Sequence, residues 1–458
     1  MTLQTTGVEL VGDGLNVPCV DGRERPYLNL DAAASTGALP AVAERVTEFL
    51  PWYSSVHRGA GYKSQLATTA YEDAREQLLC FAGRAGGDEV AIICRNTTEA
   101  INHLAYRLRL RSGDVVVTTV VEHHANLLPW ARAATCRFVE CEPDGTIDPA
   151  AIRAALDTEP RPRLLAITGA SNITGWMPPL DEITGAAHER RIPVVVDAAQ
   201  LAPHRPIPRD ADFIAFSGHK MYAPFGAGAL IGPRGAFADG DPFLVGGGAV
   251  DLVDLDEVVW TDPPDREEAG SPNVVGAVAF ATAAIELERI GWNAIRHHDA
   301  ALARQLRAGL AAIPGVRVLG PSLDTETLPV ATFVVEGVPH ALIAARLSAE
   351  FAIGVRHGCF CAHPYLIRLL GLSGDDLQRF RNAARHHHRG SLPGAVRASA
   401  GLSTTTSDIQ RLLEAVETVA TAAAPVEYLA DALTGDYWPQ GHPRAVGTAG
   451  RTTGCAPG

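Results

Sequence analysis

The chain has 458 residues, a hydrophobic content of 47% and a formal net charge of −13, so it can bury the cores of two or three domains and lacks the basic character of a nucleic-acid-binding protein. It shows neither a secretory signal nor an apolar run long enough to span a membrane, so we expect a cytoplasmic protein with no nucleic-acid or membrane partner. The eight cysteines do not form the dense framework of a disulfide-rich protein, and we assign no metal site.

Short apolar runs alternate with helical patterns between residues 87 and 232. Five runs predict strands: "EVAIICR", "DVVVTTVVE", "RLLAITGAS", "IPVVVDAAQ" and "DFIAFSG". Continuously apolar strands separated by helices indicate a mainly parallel sheet covered on both faces, and therefore an α/β fold. Residues 267–291 predict a loop and a long helix, and "TFVVEGV" belongs to a smaller α+β domain that follows. The tail "GDYWPQGHPRAVGTAGRTTGCAPG", residues 435–458, is rich in Gly, Pro and Thr and is expected to be loosely ordered, with Tyr437 and Trp438 as candidates for docking on the body.

Polar residues follow the predicted strands at the point where each strand ends. Such ends share one edge of a parallel sheet, which is where α/β proteins bind ligands. In chain order, the residues at this edge are Thr97 and Thr98, His123, the "SNITG" stretch, Asp197 and Gln200, and the "SGHK" turn that ends in Lys220.

Lys220 and Asp197 together predict a pyridoxal-phosphate site. A lysine at a strand end can form a Schiff base, although an isolated lysine is more often a solvated surface residue. Asp197 ends an apolar strand, where a buried acid needs a cationic or hydrogen-bonded partner. A Schiff-base lysine with an acid on the ring nitrogen is the arrangement typical of this cofactor.

The remaining strand-end residues fit the same cofactor. His123 can lie flat against an aromatic ring, and Thr97 and Thr98 at a helix N-terminus offer donors to a phosphate. Ser217 and His219 stand beside the lysine and can complete a phosphate site. The alternatives are a histidine at the sheet edge and a helix N-terminus without a ligand.

An ordered set of motifs resembles the class V aminotransferase family of pyridoxal-phosphate enzymes, and within it the cysteine desulfurases and selenocysteine lyases. The motifs are "YLNLDAAAS", "SSVHRGAGYKSQLATTAYEDAR", "EHHANLLPW", "SNITG", "VVVDAAQLAPH", "FSGHKMYAPFGAGALIG", "EEAGSPN" and "VRASAGLS". The resemblance runs from about Tyr27 to Val419 and keeps the family's order. An ordered set of this kind is more specific than any single motif.

The resemblance implies a role for each matching residue. Lys220 would bind the cofactor covalently and carry protons, Asp197 would pair with the ring nitrogen, Gln200 with the ring hydroxyl, and His123 would stack on the ring. The phosphate positions are Thr97, Thr98, Ser217, His219 and, from the second subunit of a homodimer, Ser271. Asn172, Arg356 and Arg397 would hold the substrate, with Arg397 gripping its carboxylate.

The resemblance also implies the type I aminotransferase fold, with a large domain around a mainly parallel, seven-stranded type of sheet and a smaller C-terminal domain. The expected divisions are an N-terminal segment at 1–26 that packs with the small domain, a large cofactor-binding domain at 27–288, a small domain at 289–426 and a tail at 427–458.

The stretch "RHGCFCAHP" matches the desulfurase segment that carries the sulfur-accepting thiol, through Arg356, Gly358 and Cys361. A reactive thiolate needs a partly exposed, electropositive setting, for which Arg356, His357 and His363 are candidates. The alternative is an unreactive loop cysteine. Cys359 is either a resolving thiol or without a role.

The region between Cys361 and Arg397 is longer than in the simple desulfurases. It contains "HHH" at His386–His388, which we interpret as a solvated loop rather than a metal site.

Three functions remain open at this point. The leading hypothesis is chemistry on L-cysteine or a cysteine derivative, either desulfuration through Cys361 or β-elimination of the C–S bond, with a sulfur-acceptor protein as a possible partner. The second is an aminotransferase or epimerase of a specialised metabolite on the same scaffold. The third is a non-catalytic pyridoxal-phosphate protein, against which Lys220, Asp197 and Arg397 argue.

Overall fold

The computed structural model of the chain describes residues 7–388, 390, 392–431 and 434–442. The helices are α1 (Pro40–Phe49), α2 (Tyr62–Phe81), α3 (Thr97–Arg107), α4 (Leu128–Ala133), α5 (Pro149–Asp157), α6 (Leu180–Glu189), α7 (Val274–Ile290), α8 (Trp292–Ala312), α9 (His340–Phe351), α10 (His363–Leu370), α11 (Gly374–Arg385) and α12 (Thr406–Thr421). None of these helices combines the length and the hydropathy needed to cross a membrane.

The strands are β1 (Asn16–Pro18), β2 (Glu24–Pro26), β3 (Leu28–Asn29), β4 (Glu89–Cys94), β5 (Val115–Thr119), β6 (Thr135–Val139), β7 (Leu164–Thr168), β8 (Val194–Asp197), β9 (Phe213–Ser217), β10 (Gly228–Pro233), β11 (Val250–Val253), β12 (Val258–Trp260), β13 (Val316–Leu319), β14 (Val330–Val335), β15 (Ile353–Gly354), β16 (Arg356–Gly358), β17 (Ala395–Ser399), β18 (Tyr428–Ala430) and β19 (Tyr437–Pro439).

A seven-stranded sheet in the order β4-β10-β9-β8-β7-β5-β6 forms the centre of the protein. The pairs from β9 through to β6 are parallel, whereas β10 runs antiparallel to both of its neighbours. β5, β7, β8 and β9 are buried along their whole length, as expected for a parallel sheet with helices on both faces. The five strands predicted from the apolar runs are all present, and the α/β fold class is confirmed.

Two strands of this sheet were not predicted. β6 lies at the edge of the sheet and is only partly buried, so its sequence "TCRFV" lacks the continuous apolar run of a central strand. β10 is buried but contains two glycines in "GALIGP", which weaken a strand pattern. The Cβ of any other residue at Gly228 would meet the backbone of Asn96 at 2.7 Å, so close approach of two chain segments explains this glycine.

A four-stranded antiparallel sheet, β13-β14-β17-β16, forms a second layer with its own apolar cluster beside α8, α9 and α12. The predicted segment "TFVVEGV" contributes to β14. β3 joins this region through a parallel pair with β15, so the N-terminal chain packs beside elements from the C-terminal half. The domain boundaries at 27–288 and 289–426 stay predictions.

The chain after α12 is better ordered than its composition suggested. β18 and β19 pair as an antiparallel hairpin, and the Tyr428 hydroxyl donates to Glu350 at 3.0 Å. The expectation of a loosely ordered tail is therefore wrong for residues 435–442. Residues 1–6 of the predicted N-terminal segment and 443–458 of the predicted tail, with Cys455, lie outside the described residues.

Candidate active site

A cavity of about 450 Å³ opens at the carboxyl edge of the large sheet. Twelve of the thirteen residues predicted for the site line it: Thr97, Thr98, His123, Asn172, Asp197, Gln200, Ser217, His219, Lys220, Arg356, Cys361 and Arg397. The thirteenth, Ser271, is exposed in the loop before α7 and does not line this cavity. The sheet edge and the small sheet together bring distant parts of the sequence to one place.

The N-terminus of α3 forms one end of the cavity. Asn96 caps this helix by accepting a hydrogen bond from the Glu99 N–H at 3.0 Å, and the Ser217 hydroxyl accepts one from the Thr97 N–H at 2.7 Å. Within the described part of the chain, the N–H of Thr98 between them has no recorded partner. The first turn of a helix carries the positive end of its dipole, so this end of the cavity suits an anion.

Lys220 and Asp197 lie at the ends of neighbouring strands and form the floor of the cavity. Desolvation lowers the pKa of Lys220 to about 8, against the smaller opposing effect of Asp197. Burial raises the pKa of Asp197, which accepts one hydrogen bond, from the Ala199 N–H at 3.0 Å. The lysine is thus more easily deprotonated than usual, and the acid faces the cavity with unused acceptor capacity.

His123 stands at the start of the turn that follows β5. Its Nδ1 accepts from the Ala125 N–H at 3.0 Å, which leaves the proton of the neutral ring on Nε2. Desolvation first, and then the nearby Lys220, lowers the pKa of His123 to about 3, so the ring is neutral at physiological pH. Gln200 also lines the cavity, and its side-chain amide donates to the Ala33 carbonyl at 2.7 Å. That contact leaves the amide oxygen of Gln200 available as an acceptor.

Arg397 projects from β17 and is 2% exposed. One terminal nitrogen donates to the Asn172 carbonyl at 3.0 Å, and the other donates to the Asp31 carboxylate at 2.8 Å. The guanidinium also lies 5.2 Å from the centre of the Phe360 ring. Sequence reasoning missed Asp31, although it lies in the quoted stretch "YLNLDAAAS" as an acid that directly follows a strand-like run.

Cys361 is exposed and occupies a tight turn at the mouth of the cavity. The Ala362 N–H donates to the Cys359 carbonyl at 3.0 Å, and the two central residues, Phe360 and Cys361, have φ values of 54° and 55°. Left-handed backbone at a non-glycine residue costs about 1–3 kcal/mol, so the surroundings must hold this turn.

Two neighbours hold the turn through its carbonyl groups. The Asn172 side-chain amide donates to the Phe360 carbonyl and the His124 N–H donates to the Cys361 carbonyl, each at 2.7 Å. The His124 ring stacks on the His363 ring with 5.1 Å between centres and 9° between planes. Sequence reasoning had assigned no role to His124.

Of the three candidates for an electropositive setting, Arg356 alone lines the cavity. His357 faces Asp436 at 3.4 Å and the ring of His340 at 5.4 Å, because alternate residues of β16 point to opposite sides. Burial lowers the pKa of both His357 and His363, which favours their neutral forms. The cationic side chains that share the cavity with Cys361 are Lys220, Arg356 and Arg397.

Other features of this region have no direct contact with the cavity. Cys359 packs against the main apolar cluster, so its thiol is not presented to the site. His386, His387 and His388 are exposed at the end of α11, in keeping with a solvated loop.

Comparison with known proteins gives a consistent result. The model of the family "Aminotransferase class-V" matches residues 28–412. A cysteine desulfurase of Dickeya dadantii is 37% identical over 75% of this chain and 85% of its own, and a probable cysteine desulfurase of Mycobacterium leprae is 34% identical over 91% and 98%. The apo structure of a cysteine desulfurase from Thermococcus onnurineus has a TM-score of 0.76 at 31% identity, covering 86% of this chain and 94% of its own.

Proposed function

Because this chain belongs to the aminotransferase class-V family, we propose that it is a pyridoxal-phosphate enzyme that removes sulfur from L-cysteine. The observation that carries the proposal is the position of Cys361 in the same cavity as Lys220 and Arg397. A lysine and an acid alone serve many reactions of amino acids. A thiol at the mouth of that cavity, on a turn that hydrogen bonds from Asn172 and His124 keep in place, favours desulfuration.

The residues at the site fit pyridoxal phosphate. Lys220 offers an amine of lowered pKa, Asp197 a buried carboxylate with free acceptor capacity, and His123 a neutral aromatic ring. The N-terminus of α3, with Thr98, offers donors to a phosphate. Serving as an electron sink, the bound cofactor would accept the electron pair released at the substrate's α-carbon.

Each residue of the site would then have a role that follows from its position. Arg397, with Arg356 nearer the mouth, would bind the substrate carboxylate, and Asn172 would keep Arg397 oriented through its backbone carbonyl. The free Nζ of Lys220 would carry a proton between the α- and β-carbons of the substrate. Asp197 would hold a proton at the cofactor's ring nitrogen, since a buried carboxylate is stabilised by a cationic partner.

Sulfur transfer would occur at Sγ of Cys361. Its thiolate would attack the sulfur of the substrate, so that an S–S bond forms as the C–S bond breaks. The electron pair of the C–S bond would remain on the β-carbon, which takes up a proton and leaves as alanine. The chain would be left with a persulfide on Cys361, which a sulfur-acceptor protein would discharge. The exposure of Cys361 supports access by such a partner.

A homodimer is part of the proposal. The hairpin of β11 and β12 exposes a row of apolar side chains: Leu252, Val253, Leu255, Val258 and Val259. Ser271 is exposed nearby, beyond the hydrogen bond from the Gly270 N–H to the Gly247 carbonyl at 2.7 Å. A second copy would cover the apolar hairpin and receive Ser271 at its phosphate end. Light scattering should give twice the mass of the chain, and full activity of a monomer would contradict this proposal.

The proposed compartment is the cytoplasm. All seven cysteines within the described residues are free thiols, which fits a reducing environment. Cell fractionation tests this proposal, and recovery of the protein outside the cytoplasmic fraction would contradict it.

The function is tested by the products formed from L-cysteine. We expect the purified holoenzyme to give alanine in the presence of a thiol reductant, with sulfide released in equal amount. Pyruvate and ammonia would instead identify β-elimination. Formation of a keto acid together with a new amine from an added acceptor would identify transamination, and either result would overturn desulfuration as the main reaction.

A further inference from the structure

The guanidinium proposed to bind the substrate carboxylate already contacts a carboxylate of its own chain. Arg397 donates to one oxygen of Asp31 at 2.8 Å, while the other oxygen of Asp31 lies 3.6 Å from Arg356. The side chain of Arg397 is 3% exposed, that of Asp31 23% and that of Arg356 54%. The three charged side chains therefore form a cluster in which exposure to solvent increases from Arg397 through Asp31 to Arg356.

The backbone fixes the position of Asp31. The Ser399 N–H donates to the Leu30 carbonyl at 2.7 Å, and the Ala32 N–H donates to the Ser399 carbonyl at 3.2 Å. These two hydrogen bonds form a parallel β-bridge between Asp31 and Ser399. Ser399 lies two residues after Arg397 on β17. Asp31 is thus placed beside Arg397 by strand pairing rather than by a flexible side-chain contact.

The cluster keeps donor capacity for a ligand. Nε of Arg397 is buried and has no hydrogen-bond partner within the described residues. An unpaired buried donor is costly, so an acceptor from a bound molecule would stabilise it. Two guanidinium groups and one carboxylate also leave a single positive charge. A ligand with one carboxylate balances that charge, whereas a ligand with two carboxylates exceeds it.

We propose that Asp31 is a specificity-determining residue that sets the charge of the carboxylate-binding end of the site, so that it accepts amino acids with one carboxylate and disfavours dicarboxylic ones. The proposal rests on the proposed function only in taking Arg397 as the substrate-carboxylate residue. Charge discrimination of this kind works by leaving the wrong ligand with an unbalanced charge in a desolvated site.

The test compares two unreactive ligands, propionate and succinate, by calorimetric titration of the holoenzyme. Neither ligand has an amino group, so their binding does not depend on turnover. We expect Asp31→Asn to raise the affinity for succinate relative to propionate on the order of tenfold. Asp31→Glu retains the charge, so its ratio of succinate to propionate affinity should shift less than that of Asp31→Asn. Asp21→Asn, at an exposed site away from the cavity, should leave the ratio unchanged.

A second variant keeps the proposal testable if Asp31→Asn does not fold. Arg356→Gln changes a side chain that is 54% exposed and lowers the charge of the cluster by one, so discrimination against succinate should increase. An unchanged ratio of succinate to propionate affinity in both variants would overturn the proposal. A higher KM for cysteine in Asp31→Asn with an unchanged ratio would assign Asp31 a purely structural role. A ratio shifted as expected, together with no desulfuration by the unmodified holoenzyme, would refute only the proposed function.

Discussion

Replacement of Lys220 by alanine is expected to abolish covalent attachment of pyridoxal phosphate and to lower turnover of cysteine by roughly three orders of magnitude or more, because a positioned proton carrier alone contributes about 10²–10⁴-fold. No second lysine lines the cavity, since the chain contains two lysines and the other, Lys63, is exposed on α2. Reduction with borohydride followed by peptide mapping measures the attachment directly.

The two-lysine composition provides a matched control for this experiment. Lys63 donates to the Pro51 carbonyl at 2.8 Å and does not line the cavity, so Lys63→Ala should keep both the attached cofactor and the activity. The reduced label should appear on Lys220 in the unmodified protein and in Lys63→Ala. A Lys220→Ala protein that still carries reducible cofactor on a lysine would refute the assignment of the site.

Replacement of Cys361 by alanine is expected to eliminate the persulfide and to reduce alanine formation at least about a hundredfold, because no other described cysteine lines the cavity. The cofactor should still attach to Lys220, since Cys361 lies at the mouth rather than at the strand ends. Mass spectrometry after alkylation detects the persulfide, and amino-acid analysis measures the alanine.

Cys359 provides the control for the thiol. It lies two residues earlier on the same turn but packs against the apolar cluster, so Cys359→Ala should retain the persulfide on Cys361 and most of the activity. An equal loss of alanine formation in Cys359→Ala and Cys361→Ala would mean that the reaction needs the conformation of the turn rather than the thiol of Cys361. Undiminished alanine formation by Cys361→Ala would rule out Cys361 as the sulfur acceptor.

The local sequence was sufficient to predict the buried central strands of the large sheet. The strands that end near His123, Asp197 and Lys220 are buried on both faces, so their sequences are mainly apolar and easily recognised. β6 and β10 lack such runs, one because it lies at the edge and the other because neighbouring backbone requires glycine. The hairpin of β18 and β19 was missed because it packs against α9, a contact that the composition of this segment does not indicate.

The sequence by itself determined the α/β class, the order of the strand-end motifs and nine residues of the cavity, because a parallel sheet places consecutive strand ends along one edge. Arg356, Cys361 and Arg397 lie at or beside the small sheet, and only the family resemblance assigned them to the site. Only the tertiary structure decided what these residues contact. The contact of Arg397 with Asp31 spans 366 positions, and the bond from Asn172 to Phe360 spans 188. The direction in which His357 points also depends on how β16 pairs with β17. Such contacts depend on the packing of the two sheets, and no local pattern in the chain encodes them.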